Sequence, residues 1–190
     1  MDTLTKDEFE AREFHYLREM DKGKLFLYPT DTIYGIGCDA TDSEAVLKLR
    51  SAKNRSEKPF SVIAPSLSWI HENCVVPRHA EEWLDKLPGP YTFIFQLRTT
   101  QCVAPEVLCG GNTIGIRIPS HWFSEKVKKL EKPIVTTSVN PTGEMFMTSL
   151  ENLHDSIKGK VSFIVYEGEK IARPSTLVKL ASEDVEVVER

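Results

Sequence analysis

No stretch of this 190-residue chain approaches the roughly 20 consecutive apolar residues that a membrane-spanning helix requires. The opening, MDTLTKDEFEAREFHYLREM, is charged and lacks the apolar centre of a secretory signal. Basic residues are not in excess. The chain has 24 Lys and Arg against 28 Asp and Glu, for a net charge of −4, which argues against a binder held to nucleic acid mainly by electrostatics. The four cysteines, Cys38, Cys74, Cys102 and Cys109, form no C-x-x-C pair, and the five histidines contain no H-x-x-x-H or H-E-x-x-H. A zinc frame and a metalloprotease motif are therefore both missing. So are repeats, low-complexity segments and linkers. The Asn54-Arg55-Ser56 sequon has no export signal to give it meaning. These absences predict a reduced, cytoplasmic protein with no membrane segment.

What remains is an ordinary globular composition: 41% apolar, 27% charged and 9% aromatic. A chain of this length can bury about 70% of its unfolded surface around one substantial core. Residues 1–190 are read as one domain. Thr5-Lys6-Asp7-Glu8 and Thr41-Asp42-Ser43-Glu44 are capping-box patterns, and each predicts a helix start. The first helix ends near Gly23 and the second near Lys53. Further helices are predicted around 67–73, 78–86, 121–130 and 149–157. Strands are predicted over 25–28, 60–64, 91–97, 112–118, 134–137, 161–166, 175–180 and 185–188, with another short one after the 30–37 loop. These strands and helices, mixed rather than strictly alternating, predict an α/β fold. Its sheet is part parallel and part antiparallel, with flanking helices.

Chemistry concentrates in five segments. Lys48, Arg50, Lys53, Arg55 and Lys58 put five cations in eleven residues against one acid, Glu57. The cluster suits either a solvated helix end or a polyanion site, because Lys and Arg both match phosphate oxygens. Lys53 and Arg55 lie two apart, which on an extended loop puts both exposed side chains on one side. Tyr28 to Gly37 is a strand running into a loop of hydroxyls, an acid and glycines, the kind of place where open α/β sheets hold ligands. Within it, Gly35-Ile36-Gly37-Cys38-Asp39-Ala40 imitates a dinucleotide fingerprint. It fails as one, because Pro29 to Thr32 separate it from the strand and the helix cap follows too late.

Thr136 to Gly143 offers hydroxyls, an amide and a turn. In 112–119, strand alternation puts Thr113, Gly115 and Arg117 on one face. An Arg in a largely apolar strand needs a buried carboxylate or an anionic ligand. Arg173 to Val178 brings polar residues into a strand. No Ser-His-Asp arrangement and no catalytic carboxylate pair stands out. Cations plus hydroxyls suit chemistry driven by positioning and by charge stabilisation on phosphates.

Taken together, YPTDTIYGIGCDA, Lys53-Asn54-Arg55 (K-x-R), KPFSV, PYTF, TIGIRIP, SVN (S-x-N) and PSTLV resemble the YrdC-like family of threonylcarbamoyl-AMP synthases. They occur in family order from Tyr28 to Val178, about four-fifths of the chain. The resemblance implies a twisted α/β sheet with a concave basic cleft. It implies an enzyme that joins L-threonine, bicarbonate and ATP and releases pyrophosphate, with Mg²⁺ arriving on the nucleotide and no tightly bound metal. The product would pass to a tRNA threonylcarbamoyl transferase. By matching position, Lys53 and Arg55 would be catalytic, and Lys53, Arg55, Lys58, Thr113, Ser138 and Asn140 would line the ATP side. Thr32, Arg117, Thr136 and Ser175 would hold threonine, with backbone near Ile63.

The sequence departs from the family pattern in places. Arg55 to Lys58 is three residues where four is usual, Lys179 follows PSTLV where Asp is usual, and Phe146 stands where a small hydroxyl residue is common. The length resembles the family's short, single-domain members. Two other readings are an RNA-binding module using the concave face and a carbamoyl-transfer domain related to hydrogenase maturation. Net charge weakens the first. The second comes with an acylphosphatase domain and cysteine-rich zinc motifs, which this sequence lacks.

Overall fold

The computed structural model describes residues 1–189, and in it the apolar runs pair into one eleven-stranded sheet. The strands are β1 Asp2–Leu4, β2 Phe26–Tyr28, β3 Gly35–Gly37, β4 Ser61–Ile63, β5 Cys74–Val75, β6 Tyr91–Leu97, β7 Thr113–Arg117, β8 Ile134–Ser138, β9 Phe163–Val165, β10 Thr176–Lys179 and β11 Glu186–Val188. The helices are α1 Lys6–Ala11, α2 Glu13–Asp21, α3 Ser43–Lys53, α4 Leu67–Asn73, α5 Glu81–Leu84, α6 Pro105–Leu108, α7 Phe123–Leu130 and α8 Asp155–Lys158.

The spatial order is β1-β9-β2-β3-β8-β4-β7-β6-β10-β11, with β5 added to β6. Four pairings are parallel, β1 with β9, β9 with β2, β4 with β7 and β6 with β10. Those between β2, β3, β8 and β4, between β7 and β6, and between β10 and β11 are antiparallel. The sheet is mixed, as the uneven alternation of elements predicts. The chain crosses from β9 to β10 through 166–175, passing from the second strand of this order to the ninth.

Around β2 and β9 both faces of the sheet are covered, which is why these strands read as unbroken apolar runs. Along β2, Leu27 joins one apolar cluster while Phe26 and Tyr28 join the other. β9 does the same with Ile164 against Phe163 and Val165. The second cluster is an aromatic stack in which Phe26, Phe123, Phe163 and Tyr28 meet Phe9 and Tyr16 from α1 and α2.

Some elements differ from expectation. Thr5 forms its capping box, but the first helix breaks at Arg12, whose φ of −124° is not helical. α3 is capped by Asp42, which accepts from the Ala45 N–H at 3.1 Å. Thr41 instead donates to Asp39 Oδ1 from both its N–H and its hydroxyl. The expected helices at 78–86 and 149–157 split into 3₁₀ turns followed by the short α5 and α8. Among the described residues, no helix is long and apolar enough to cross a membrane.

Candidate active site

Strand ends and loops enclose a cavity of about 200 Å³. The 30–35 loop forms one side, with Thr136–Ser138 of β8 beside it. Arg117 enters from the end of β7, Arg55 from the loop after α3, Ser61 from β4 and Thr92 from β6, while Phe146 and Pro174-Ser175 complete the wall. Glycines beneath it allow the strands to close up. A Cβ on Gly35 would lie 2.8 Å from the Tyr28 ring, and one on Gly37 would lie 2.5 Å from the Val135 carbonyl. The G-x-G sequence is thus a packing requirement of β2, β3 and β8. The Tyr28 hydroxyl then donates to Thr136 Oγ1 at 2.7 Å and fixes that side chain at the cavity wall. Burial raises the Tyr28 pKa, so the phenol stays a donor.

Arg117 is 7% exposed. Its Nη2 donates to Asp31 Oδ1 at 2.8 Å and to Thr32 Oγ1 at 3.2 Å. The other Asp31 oxygen accepts from the Ser120 N–H at 2.8 Å. Of the two partners that an Arg in this strand requires, the structure shows the carboxylate. Burial lowers the guanidinium pKa and Asp31 opposes the shift. The Arg117 Nε is buried without a hydrogen-bond partner. Thr30 organises the same loop: its hydroxyl donates to the Ile33 carbonyl at 2.7 Å and accepts from the Thr32 N–H at 3.1 Å. Across the cavity wall, Thr92 and Ser175 hydroxyls meet at 2.6 Å.

The cation cluster divides three ways. Lys53 is 2% exposed. It is the last residue of α3, and Asn54 turns away in a left-handed conformation with φ 49°. The extended spacing expected for Lys53 and Arg55 is therefore not the one observed, and Lys53 is not an exposed cation. Its ammonium donates to the carbonyls of Ser138 and Asn140, the latter at 2.7 Å, and to Asn140 Oδ1 at 3.3 Å. Burial, and then the Arg55 charge, push its pKa down to about 7. Ser138 donates to Asn140 Oδ1 at 2.6 Å, and Asn140 Nδ2 donates to the Glu144 carbonyl at 2.7 Å. Lys53 thereby bolts α3 to the S-x-N turn.

Arg50, also buried, points its guanidinium at backbone carbonyls of the next loop. Lys58 is exposed and contributes to that loop its carbonyl, which accepts from Arg50 and Arg55. Arg55 is the member of the cluster that lines the cavity.

Of the residues singled out from the sequence, Arg55, Arg117, Thr136, Ser138 and Ser175 line the cavity. Thr32, Lys53 and Asn140 stand directly behind it, bonded to Arg117 and Ser138. Thr113 is not brought there. It shares a face with Arg117 but sits four residues back along β7, roughly 13 Å away at the usual strand rise. Sequence reasoning passed over Tyr34, Ser61 and Thr92. Two of them lie inside the motifs KPFSV and PYTF, where inward alternation from neighbouring apolar residues is the signal. Tyr34 is held by donation to the Gly168 carbonyl at 2.7 Å, and burial raises its pKa to about 12.

Comparison with known proteins fits this arrangement. A threonylcarbamoyl-AMP synthase of Pyrococcus abyssi is 32% identical over 171 residues, covering 87% of this chain and 48% of the relative. The chain thus spans about half that relative's length. A Methanocaldococcus jannaschii protein, provisionally named as the same enzyme, is 30% identical over 88% of this chain and 80% of its own length. The crystal structure of P. abyssi Sua5 complexed with L-threonine superposes on 98% of this chain and 56% of that one, at TM-score 0.87 and 27% identity. A family model, Sua5/YciO/YrdC, described as telomere recombination, matches residues 18–190. With nine-tenths of its residues under that model and these relatives beside it, the chain belongs to the Sua5/YciO/YrdC family.

Proposed function

We propose that residues 1–190 act as one unit that makes L-threonylcarbamoyl-AMP from L-threonine, bicarbonate and ATP, releasing pyrophosphate. The observation that carries this reading is the pairing of two unlike cations in one cavity. Arg117 comes with its own carboxylate and a ring of hydroxyls, and among the described residues Arg55 comes with no carboxylate. The first environment suits a small zwitterion, whose carboxylate can meet the Arg117 guanidinium at the cavity wall. The second suits a polyphosphate. The bound L-threonine of the P. abyssi protein supports the first assignment, and the enzyme names of the relatives support ATP as co-substrate.

In this reading the threonine amine takes up bicarbonate carbon and loses water, giving a carbamate. A carbamate oxygen attacks the α-phosphorus of ATP, the bond to the β-phosphate oxygen breaks, and pyrophosphate leaves. Arg55 stabilises the charge that builds on the leaving group. Lys53 acts through the S-x-N turn, where Ser138 and Asn140 meet the nucleotide side. Mg²⁺ enters as part of the nucleotide substrate. Thr136 and Ser175 take the threonine polar groups, and Thr32 holds Arg117 in place. The mixed anhydride produced is consumed by a tRNA-modifying transferase.

The test is pyrophosphate release from a mixture of protein, ATP, magnesium, bicarbonate and L-threonine, with each component left out in turn. Release should require every component. Release that continues without L-threonine would sink the reading, and protein that binds tRNA but ignores threonine would point to the RNA module instead.

A further inference from the structure

The loop that carries Arg55, residues 54–59, joins α3 to β4 and makes few backbone hydrogen bonds of its own. Its Arg55 N–H donates back to the Arg50 carbonyl at 3.0 Å. What holds the rest is a side chain. Arg50 Nη1 donates to the carbonyls of Arg55 at 2.9 Å and Ser56 at 3.2 Å. Its Nη2 donates to the Lys58 carbonyl at 3.1 Å, and both Nη2 and Nε reach the Glu106 carbonyl, at 2.6 and 2.9 Å. One planar fork therefore fixes three carbonyls of the loop and ties them to α6.

Arg55 folds over the same loop. It donates to the Lys58 and Pro59 carbonyls, and its guanidinium lies 4.8 Å from the Phe60 ring centre, where that of Arg50 lies 4.6 Å away. Among the described residues, neither guanidinium has a carboxylate partner. Two like charges on one ring, held by carbonyls and, for Arg50, by the Cys109 sulfur at 2.7 Å, are a costly arrangement in the absence of an anion.

We propose that Arg50 is the positioning residue for Arg55. It sets the loop around its own fork so that Arg55 meets the nucleotide phosphates in a fixed place, and it adds a second positive charge behind them. The shortened Arg55-to-Lys58 spacing belongs to the same device, because the tight loop brings its carbonyls within reach of one guanidinium while the Lys58 side chain stays in solvent. This inference rests on Arg55 facing the phosphates. The reaching groups are five donors in one plane, and a lysine at position 50 cannot reproduce them. A shift of about 1 Å in a positioning group can cost about 10²-fold.

Arg50→Lys is tested for calorimetric binding of ATP, for binding of L-threonine, and for the ATP dependence of pyrophosphate release. The expected result is ATP affinity and kcat/KM for ATP weakened on the order of 10- to 100-fold, with L-threonine binding held within about two-fold, since Arg117 and Thr32 share no partner with this loop. Unchanged ATP behaviour overturns the proposal. So does an equal loss for both ligands, which marks a role in folding alone. If Arg50→Lys does not fold, backbone relaxation of the parent protein without nucleotide decides. Order parameters near about 0.85 across 54–58 support a stapled loop, and values below about 0.6 overturn it. Parent protein that binds ATP but releases no pyrophosphate refutes the enzymatic reading and leaves the Arg50 binding test standing.

Discussion

Two guanidiniums line one cavity, and the protein treats them in opposite ways. Arg117 sits at a strand end, 7% exposed, with Asp31 at 2.8 Å neutralising it and Ser120 holding that carboxylate in turn. Arg55 sits on a loop, half-buried, with carbonyls for partners. A neutralised pair inside a sheet creates little long-range field and discriminates by fit. An unneutralised cation backed by a second one attracts polyanions from a distance and rewards charge that builds up late. Under the proposed function, the contrast separates recognition of an amino acid from handling of a leaving group.

The largest expected effect comes from erasing the paired member. Arg117→Ala leaves the mostly buried Asp31 without its cation and held by the Ser120 N–H alone, a loss of about 3–5 kcal/mol. At roughly 2–4 °C per kcal/mol for a chain of this size, thermal melts should drop by about 6–20 °C and L-threonine binding should vanish. Erasing the unpaired member should leave stability nearly intact. Arg55→Ala should lower pyrophosphate release by about 10²–10³, and Arg55→Lys should also be impaired, since the fork is lost. Should both variants lose stability and rate in parallel, the distinction between the two cations is wrong.

Lys53→Met probes the bolt between α3 and the S-x-N turn. Losing the ammonium leaves the Ser138 and Asn140 acceptors unmade, costing about 1–3 kcal/mol. With a folded pKa of about 7 against the ordinary 10.5, the parent protein binds fewer protons folded than unfolded across that window. Its stability relative to Lys53→Met should therefore rise as pH climbs from 7 towards 10. Denaturant melts at pH 6 to 10 measure that slope, and parallel curves would remove Lys53 from the account. The smallest effect sharpens the threonine side. Serine lacks one methyl, so it should be a poorer but detectable substrate, by roughly 10- to 200-fold in kcat/KM. Equal rates would mean that the cavity does not read the methyl.

Much of the fold was legible because long, strongly β-forming runs such as Tyr91–Leu97 leave little choice of structure. Some short elements were not. β1 and β3 are three residues each, and the pairing of β1 with β9 and of β3 with β8 brings in remote strands that no local pattern encodes. In the site, residue types were readable and their depth was not. Lys53 and Arg50 belong to a run that looks like a solvated helix end, yet their heads turn inward to carbonyls supplied by segments 85 and 56 residues away. Thr113 shows a different limit, since alternation identifies a face but not how far along the strand a residue lies from the cavity.

The crossing from β9 to β10 carries one more consequence, a matter of reach. Laid flat, the seven strand spacings between them need about 34 Å, and the eleven steps from Val165 to Thr176 supply at most about 40 Å. The segment has little slack. Along the way Lys170 ties it to the Thr30 carbonyl at 3.2 Å, and it ends by delivering Ser175 to the cavity wall. Its length acts as a tether on the curl of the sheet. Removing two or more residues would leave it too short for a flat sheet and hold the two ends closer, narrowing the cavity, while adding a few would lift that limit.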